Sequence, residues 1–302
     1  MKSHGTISRR QLMLGTSCLA AAGMLPGTLP AAEPIADRKA PKFKLSLAAY
    51  SYRKLLQDAN SGVTLKTFID DCAKMQLDGT ELTSYYFPKD VTPGYLYDLK
   101  SHAFRQGLSV SGTAIGNDFG HPPGEKRDEQ IQLTKTWIEN AAMLGAPVIR
   151  VFAGHQKKGV SAEETHKLMV EGLNEVCDYA GKHGVFLALE NHGGPTATAA
   201  GLLKLVQAVD SEWFGVNLDS GNFHSDDIYG ELAQVAPYAL NAQIKVVVSG
   251  PDKKKVPTDF KRVFDILSEA NYRGFVVLEY EENENPREEC PKFIETLREA
   301  MG

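Results

Sequence analysis

The chain is poor in cysteine, with four in 302 residues and no CxxC spacing, which removes the basis for a disulfide framework or a thiolate metal cluster. Cys72 and Cys177 fall in helical apolar patterns and are expected to be small buried residues. Cys18 lacks a convincing lipobox before it. No apolar run is long enough to span a bilayer; the longest near the N-terminus, Gly15 to Leu25, is too short. Positive charge is also scarce, with 33 Lys+Arg against 38 Asp+Glu and a formal net charge of −5. That balance argues against a nucleic-acid or anionic-membrane surface, which needs clustered basic residues. No low-complexity segment and no glycine-rich phosphate cradle is present.

The N-terminus has its own character. Ser8-Arg9-Arg10-Gln11-Leu12-Met13-Leu14 precedes the small-residue apolar stretch, followed by Pro26 and Ala31-Ala32. Twin arginines before a modest hydrophobic region form the pattern of a Tat export signal over residues 1–32, with cleavage between Ala31 and Ala36. A Pro/Ala/Lys linker over 33–42 follows. The expected location is the periplasm. The signal carries Lys2, Arg9 and Arg10 and no acidic residue, so the mature body is three charges more negative than the −5 of the whole chain.

From residue 43 to 302, short apolar runs alternate with longer amphipathic ones. Strands are expected at Leu45–Tyr52, Gly79–Tyr85, Leu108–Ile115, Val148–Ala153, Val185–Asn191, Gly215–Asp219, Ala242–Val248 and Phe275–Tyr280. Helical patterns such as Leu65–Met75, Gln130–Leu144, Ala162–His183 and Pro286–Met301 lie between them. Eight strands alternating with helices, and no long linker, indicate a single (β/α)8 TIM barrel.

Side-chain parity locates the chemistry. Residues two apart in a strand face the same side. Glu190 therefore shares a face with Ala188, Asp219 with Asn217 and Gly215, Gln243 with Asn241 and Lys245, and Glu279 with Val277. The opposite faces are aliphatic. Each of these polar residues ends its strand, where active sites of this architecture are built. Three carboxylates meeting in a dry pocket repel one another, and a divalent cation is the simplest remedy. Glu190, Asp219, Gln243 and Glu279 are thus candidate metal ligands. Glu81, Arg150, Tyr50 and Tyr52 fall near the same mouth by the same test.

Glu190-Asn191-His192-Gly193, Asn217-Leu218-Asp219-Ser220-Gly221-Asn222 and Val277-Leu278-Glu279-Tyr280 resemble the metal-site motifs of the sugar phosphate isomerase/epimerase family, the xylose isomerase-like TIM barrels. Ala49-Tyr50-Ser51-Tyr52 and Asp78-Gly79-Thr80-Glu81-Leu82 are similar to its early strands. The resemblance implies that Glu190, Asp219 and Glu279 are ligands and that the fourth ligand, usually a histidine on the seventh strand, is here Gln243. An amide oxygen makes the site all-oxygen, favouring Mn²⁺ or Mg²⁺, with Co²⁺ and Zn²⁺ as alternatives. The same substitution would also fit a member that has lost its metal.

The resemblance further implies proton abstraction next to a carbonyl through a metal-stabilised enediolate, with Glu190 and Glu279 as acid/base groups. Lys245 would neutralise the enediolate or act as the base. His192, His224, Arg150 and Glu81 would contact the substrate, a small carbohydrate. An isomerase or epimerase leads this reading. A 3-keto-sugar lyase or hydratase uses the same site, and a non-catalytic sugar-binding barrel is the remaining alternative. A multi-zinc nuclease on the same fold would need more histidine ligands and a basic DNA-binding face.

Overall fold

The computed structural model describes residues 34, 35 and 41–302, so the expected export signal and most of the expected linker lie outside the described residues. Among the described residues ten strands form: β1 (Lys42–Ala48), β2 (Gly79–Thr83), β3 (Ser109–Ala114), β4 (Val148–Val151), β5 (Phe186–Glu190), β6 (Phe214–Asp219), β7 (Ala239–Lys245), β8 (Val247–Ser249), β9 (Lys255–Pro257) and β10 (Arg273–Glu279). Eight of them close a parallel barrel in the order β1-β10-β7-β6-β5-β4-β3-β2. The (β/α)8 barrel expected from the alternation is the observed fold.

Helices α1 (Arg53–Gln57), α2 (Leu65–Lys74), α3 (Pro93–Arg105), α4 (Glu125–Leu144), α5 (Ala162–Lys182), α6 (Ala199–Val206), α7 (Ile228–Val235), α8 (Phe260–Glu269) and α9 (Pro286–Met301) lie along the chain between and after the barrel strands. Most begin where the sequence supplies a capping oxygen. Thr92, Ser161, Thr198, Asp227 and Asp259 each accept a hydrogen bond from a first-turn amide. The outward strand faces are aliphatic, with Leu47, Leu82, Ile149, Leu187, Val216, Ile244 and Leu278 all buried in the layer that packs under the helices. Removing such surface from water supplies the main drive to fold. Cys72, Cys177 and Cys290 are buried free thiols. Among the described residues no helix is long and apolar enough to cross a membrane.

The inward faces are polar, unlike the aliphatic layers that fill many barrels of this kind. Ser46 and Ser111 share a 2.7 Å hydrogen bond, and Glu81, Arg150, Asn217, Asn241 and Gln243 are all buried inside. Groups so placed must be hydrogen-bonded or paired. Two irregularities set the register: the β2–β3 pairing shifts between Thr80 and Glu81, and the β6–β7 pairing between Val216 and Asn217. At the second, Gly215 lies against Leu240, where a Cβ would stand 2.7 Å from Cγ; only glycine admits that approach.

Three expected spans are corrected. Ala49–Tyr52 and Ser84–Tyr86 are short 3-10 turns rather than strand ends. Tyr52 consequently turns into the core against Phe68, away from the mouth. The run through Val248 breaks after Lys245, and Val247–Ser249 pairs antiparallel with Lys255–Pro257 as a hairpin outside the barrel. There Thr258 ties the chain down: its hydroxyl donates to the Lys245 carbonyl, and its amide to that of Val246.

Candidate active site at the C-terminal mouth of the barrel

Glu190, Asp219, Gln243 and Glu279 end or nearly end β5, β6, β7 and β10, and parity turns all four inward as expected. The register places Asp219 beside Gln243 and Glu279 beside Lys245. Asn191, one residue past β5, clamps the end of β6: its Nδ2 donates to the Asp219 carbonyl at 2.9 Å, and its Oδ1 accepts the Asp219 amide at 2.9 Å. That clamp fixes the two carboxylate-bearing strand ends relative to each other.

A cavity of about 230 Å³ opens above them, lined by Tyr50, Tyr85, Arg150, Phe152, Glu190, His192, Lys245, Glu279 and Glu281. Larger hollows of about 410, 370 and 590 Å³ lie elsewhere, and none is lined by Glu190, Asp219 or Glu279. Glu190 is held on both oxygens. Arg150 Nε lies 2.8 Å from Oε2 as a buried ion pair whose N–H is not aligned as a hydrogen bond, and Asn222 Nδ2 donates to Oε1 at 2.7 Å. Arg150 is itself set by the Ile115 carbonyl at 2.7 Å and lies 4.0 Å over the Phe152 ring. The other face of this corner is His192, whose ring lies tilted against Phe152 with centroids 4.4 Å apart.

Lys245 is the second buried cation. Its Nζ lies 2.8 Å from Glu281 Oε2, donates to Asn222 Oδ1 at 3.0 Å, and stands 3.5 and 3.6 Å from Asp219 Oδ2 and Glu279 Oε2. Burial alone would depress its pKa, but Asp219, Glu279, Glu281 and Glu190 outweigh it and hold the ammonium well above its ordinary value. Burial pushes Glu81 and Asp219 up to about 7; Glu190 is raised likewise by burial and by Glu279 and Glu81, and Glu279 by burial and by Asp219 and Glu281. His192 is lowered by burial and by the facing Arg150 and Lys245.

The donor set suits a hard divalent cation in two respects. Asp219 Oδ2 is buried with no hydrogen-bond donor, and four buried carboxylates (Glu81, Glu190, Asp219, Glu279) face only two cations, Arg150 and Lys245. Among the described residues no three His, Cys, Asp or Glu side chains converge on one point as they stand. The Lys245 ammonium holds the space between Asp219 and Glu279. Its shorter contacts are to Glu281 and Asn222.

Of the residues expected to touch substrate, Arg150 and His192 line the cavity; Glu81 and His224 do not. Glu81 lies deeper, with both oxygens taken by amides, and His224 is exposed and bonded to Ser249 at 3.0 Å. Gln243 is also below the cavity wall, bonded to Glu81 and Asn217. Tyr50, expected at the mouth, and Tyr85, which parity did not single out, lie edge to face at 6.4 Å and reach the cavity from two 3-10 turns. Asn222, bridging Glu190 and Lys245, is a polar residue in a loop, and no spacing rule singles it out.

A profile of the xylose isomerase-like TIM barrel matches residues 69–300. An inosose dehydratase of Geobacillus thermodenitrificans is 24% identical over 303 aligned positions, covering 86% of this chain and 98% of that protein. A 2-oxo-tetronate isomerase of Haemophilus influenzae is 27% identical over 233 positions, covering 70% and 87%. The solved structure of a D-psicose 3-epimerase with D-tagatose, from Clostridium cellulolyticum H10, superposes with a TM-score of 0.70 at 17% identity, covering 85% of this chain and 99% of that one. This last likeness speaks for the fold. With the profile spanning most of the barrel, the chain belongs to the xylose isomerase-like TIM barrel family.

Proposed function

We propose that this chain is an isomerase or epimerase of an unphosphorylated keto-sugar, working by proton transfer at the carbon next to a carbonyl. The observation that carries the reading is the pair Glu190 and Glu279, two carboxylates that reach one 230 Å³ cavity from strands with two others between them. The family and its sugar-modifying relatives support an enzyme of this class. A divalent cation, with Mn²⁺ the first candidate, held by Glu190, Asp219, Glu279 and the Gln243 carbonyl, would polarise the carbonyl and neighbouring hydroxyl oxygens of a bound sugar.

The chain's own residues supply the rest. One carboxylate takes the proton from carbon, leaving a flat enediolate; the other delivers a proton to the opposite face, which inverts the centre. Return to the adjacent carbon, with a proton passed from the neighbouring hydroxyl to the former carbonyl oxygen, instead exchanges ketose and aldose. Raised carboxylate pKa values suit both halves, because a base near neutrality can also give its proton back. Lys245, held protonated at Nζ, serves as a cation beside the developing oxyanion and not as the base. Tyr50, Tyr85 and Phe152 provide flat walls and exclude water.

Charge favours a neutral substrate. Both cations of the cavity are already paired, and Glu190, Glu279 and Glu281 line it, so a phosphate would meet excess negative potential. This agrees with the proposed export to the periplasm, where phosphorylated sugars are scarce. The export reading rests on Arg9-Arg10 and the apolar stretch behind them.

A second reading, loss of water from a 3-keto-sugar, is favoured by the dehydratase that aligns with 86% of the chain. It shares the first proton abstraction, after which a hydroxide leaves the next carbon. Incubation with keto-hexoses and 3-keto-glucosides in D₂O, followed by NMR and mass spectrometry, separates the two. Deuterium gained with mass otherwise unchanged marks isomerisation or epimerisation; loss of one water marks the dehydratase. Glu190→Gln and Glu279→Gln should each lower exchange by about 10²- to 10⁴-fold with the fold intact. Full exchange in both variants would sink the proposed site.

A further inference from the structure

Two hollows at the barrel mouth share a wall. The 230 Å³ active-site cavity adjoins a side pocket of about 60 Å³ lined by Asn117, Ala153, Gly154, His155 and Thr196. Phe152 and His192 line both hollows, and no other residue does. The side pocket carries no carboxylate and takes no part in the proton transfer proposed above. Its volume corresponds to about two water molecules or one hydroxymethyl group, at roughly 30 Å³ for each water.

The frame of the side pocket is fixed. Asn117 grips the Phe152 backbone twice: its Oδ1 accepts the Phe152 amide at 2.9 Å, and its Nδ2 donates to the Phe152 carbonyl at 2.7 Å. The Ala153 carbonyl accepts the Phe119 amide at 3.1 Å, and Asp118 Oδ1 accepts the amides of Gly120 and His155 at 2.9 and 3.1 Å. Gly154, at φ +100°, passes so close to Asp118 that a Cβ would stand 2.0 Å from Oδ1. Thr196 Oγ1 accepts the His192 amide at 2.9 Å.

Within this frame two imidazoles are loose. Among the described residues no hydrogen bond reaches the ring of His155 or of His192, and the His192 ring has Phe152 as its aromatic neighbour. Both residues are exposed, so water meets their ring nitrogens. An imidazole offers a donor or an acceptor at each ring nitrogen according to its tautomer, and a hydroxyl complements either. A hydroxyl that displaces such water reproduces its bonds, whereas a methyl group does not. Ala153 and Phe152 supply apolar surface for the carbon that carries it.

We propose that the side pocket is a specificity subsite. It receives the terminal hydroxymethyl group of a keto-hexose whose reacting carbons lie between Glu190 and Glu279, with the His192 ring as the movable partition between the two hollows. The inference rests on the keto-sugar reading given above and is independent of any bound cation.

The test measures kcat/KM, by deuterium exchange in D₂O, for three probes. They are the D-keto-hexose that exchanges fastest with wild type, its 6-deoxy analogue, and the keto-pentose one carbon shorter. Wild type should prefer the keto-hexose to each of the others by about tenfold or more. Ala153→Val fills the side pocket from its wall and should bring the hexose-to-pentose ratio to within about threefold of one. His192→Phe keeps a partition of similar size without ring nitrogens. It should reduce the preference over the 6-deoxy sugar more than the preference over the keto-pentose. A hexose-to-pentose ratio unchanged in Ala153→Val, whether or not both rates fall, would overturn the subsite. Should Ala153→Val not fold, wild type decides: equal kcat/KM for the keto-hexose and both analogues would overturn it as well. Exchange with no keto-sugar at all would overturn the keto-sugar reading instead, a distinguishable failure.

Discussion

The aliphatic stem of Lys245 lies across Gly221 so closely that a Cβ at residue 221 would stand 2.7 Å from Cδ and 3.0 Å from Cβ of the lysine. The Lys245 amide also donates to Ser220 Oγ at 2.9 Å. The loop after β6 is therefore shaped around this one side chain. Gly221→Ala should leave the barrel folded, because the three nearest atoms all belong to Lys245, at a cost of about 1–3 kcal/mol for the overpacking. The ammonium would be driven off its contacts, and turnover should fall by about tenfold or more. Thermal melting and initial rates on the same preparation check both halves. Wild-type turnover in Gly221→Ala would show that the position of Lys245 does not matter.

Asn222 gives its nitrogen to Glu190 and its oxygen to Lys245, so its amide tells the two apart. Asn222→Asp would set a carboxylate against Glu190 in a buried place. Like charges raise the pKa of the group they face, so the acid limb of the pH–rate profile should move to higher pH, by about one unit. Asn222→Ala removes both contacts without adding charge and should lower turnover with a smaller shift of that limb. An acid limb that stays put in Asn222→Asp would remove Glu190 as the base that titrates there.

What the sequence made legible was whatever depends on alternation within one strand. Glu190, Asp219, Gln243, Lys245 and Glu279 all face inward as parity requires, since residues two apart share a side whatever the rest of the chain does. Tyr52 and Tyr85 sit just past their strands in 3-10 turns, where that period no longer holds: parity put Tyr52 at the mouth and passed over Tyr85. The end of β7 was obscured for a similar reason: Val246-Val247-Val248 continues the apolar run, yet the chain leaves the barrel there under the pull of Thr258. The hydrogen bonds that Asn241 and Gln243 give to Glu81 were illegible because they cross the barrel, and periodicity carries no information on partners 160 residues apart. Parity brought Glu81 to the interior but could not tell a cavity wall from the layer beneath it.

Arg150 and Glu190 form an ion pair with both side chains at most 6% exposed. Breaking such a pair from one side leaves an uncompensated buried charge, so Arg150→Met should cost about 3–5 kcal/mol. Arg150→Met combined with Glu190→Gln should recover much of that loss, since no buried charge is then left alone. Denaturant titration of the four proteins gives the coupling energy directly. Additive losses would mean the two side chains stabilise the fold independently, against the geometry seen here.

The four buried carboxylates also fix how stability depends on pH. Burial raises Glu81, Glu190, Asp219 and Glu279 to about 7, above the ordinary carboxylate range they hold when unfolded. A group raised in the folded state contributes stability that is whole below its unfolded pKa and is lost as pH climbs through its folded value. The metal-free protein should therefore melt lower at pH 8 than at pH 5, by at least ~4 °C if about 2 kcal/mol is lost. Asp219→Asn should flatten that slope, which separates the cluster from titration elsewhere. Mn²⁺ competes with protons for the same oxygens, so saturating Mn²⁺ should raise the melting temperature more at pH 8 than at pH 5. A metal-free protein that gains stability from pH 5 to 8, or an equal Mn²⁺ effect at both, would contradict the excess of negative charge from which the cation was inferred.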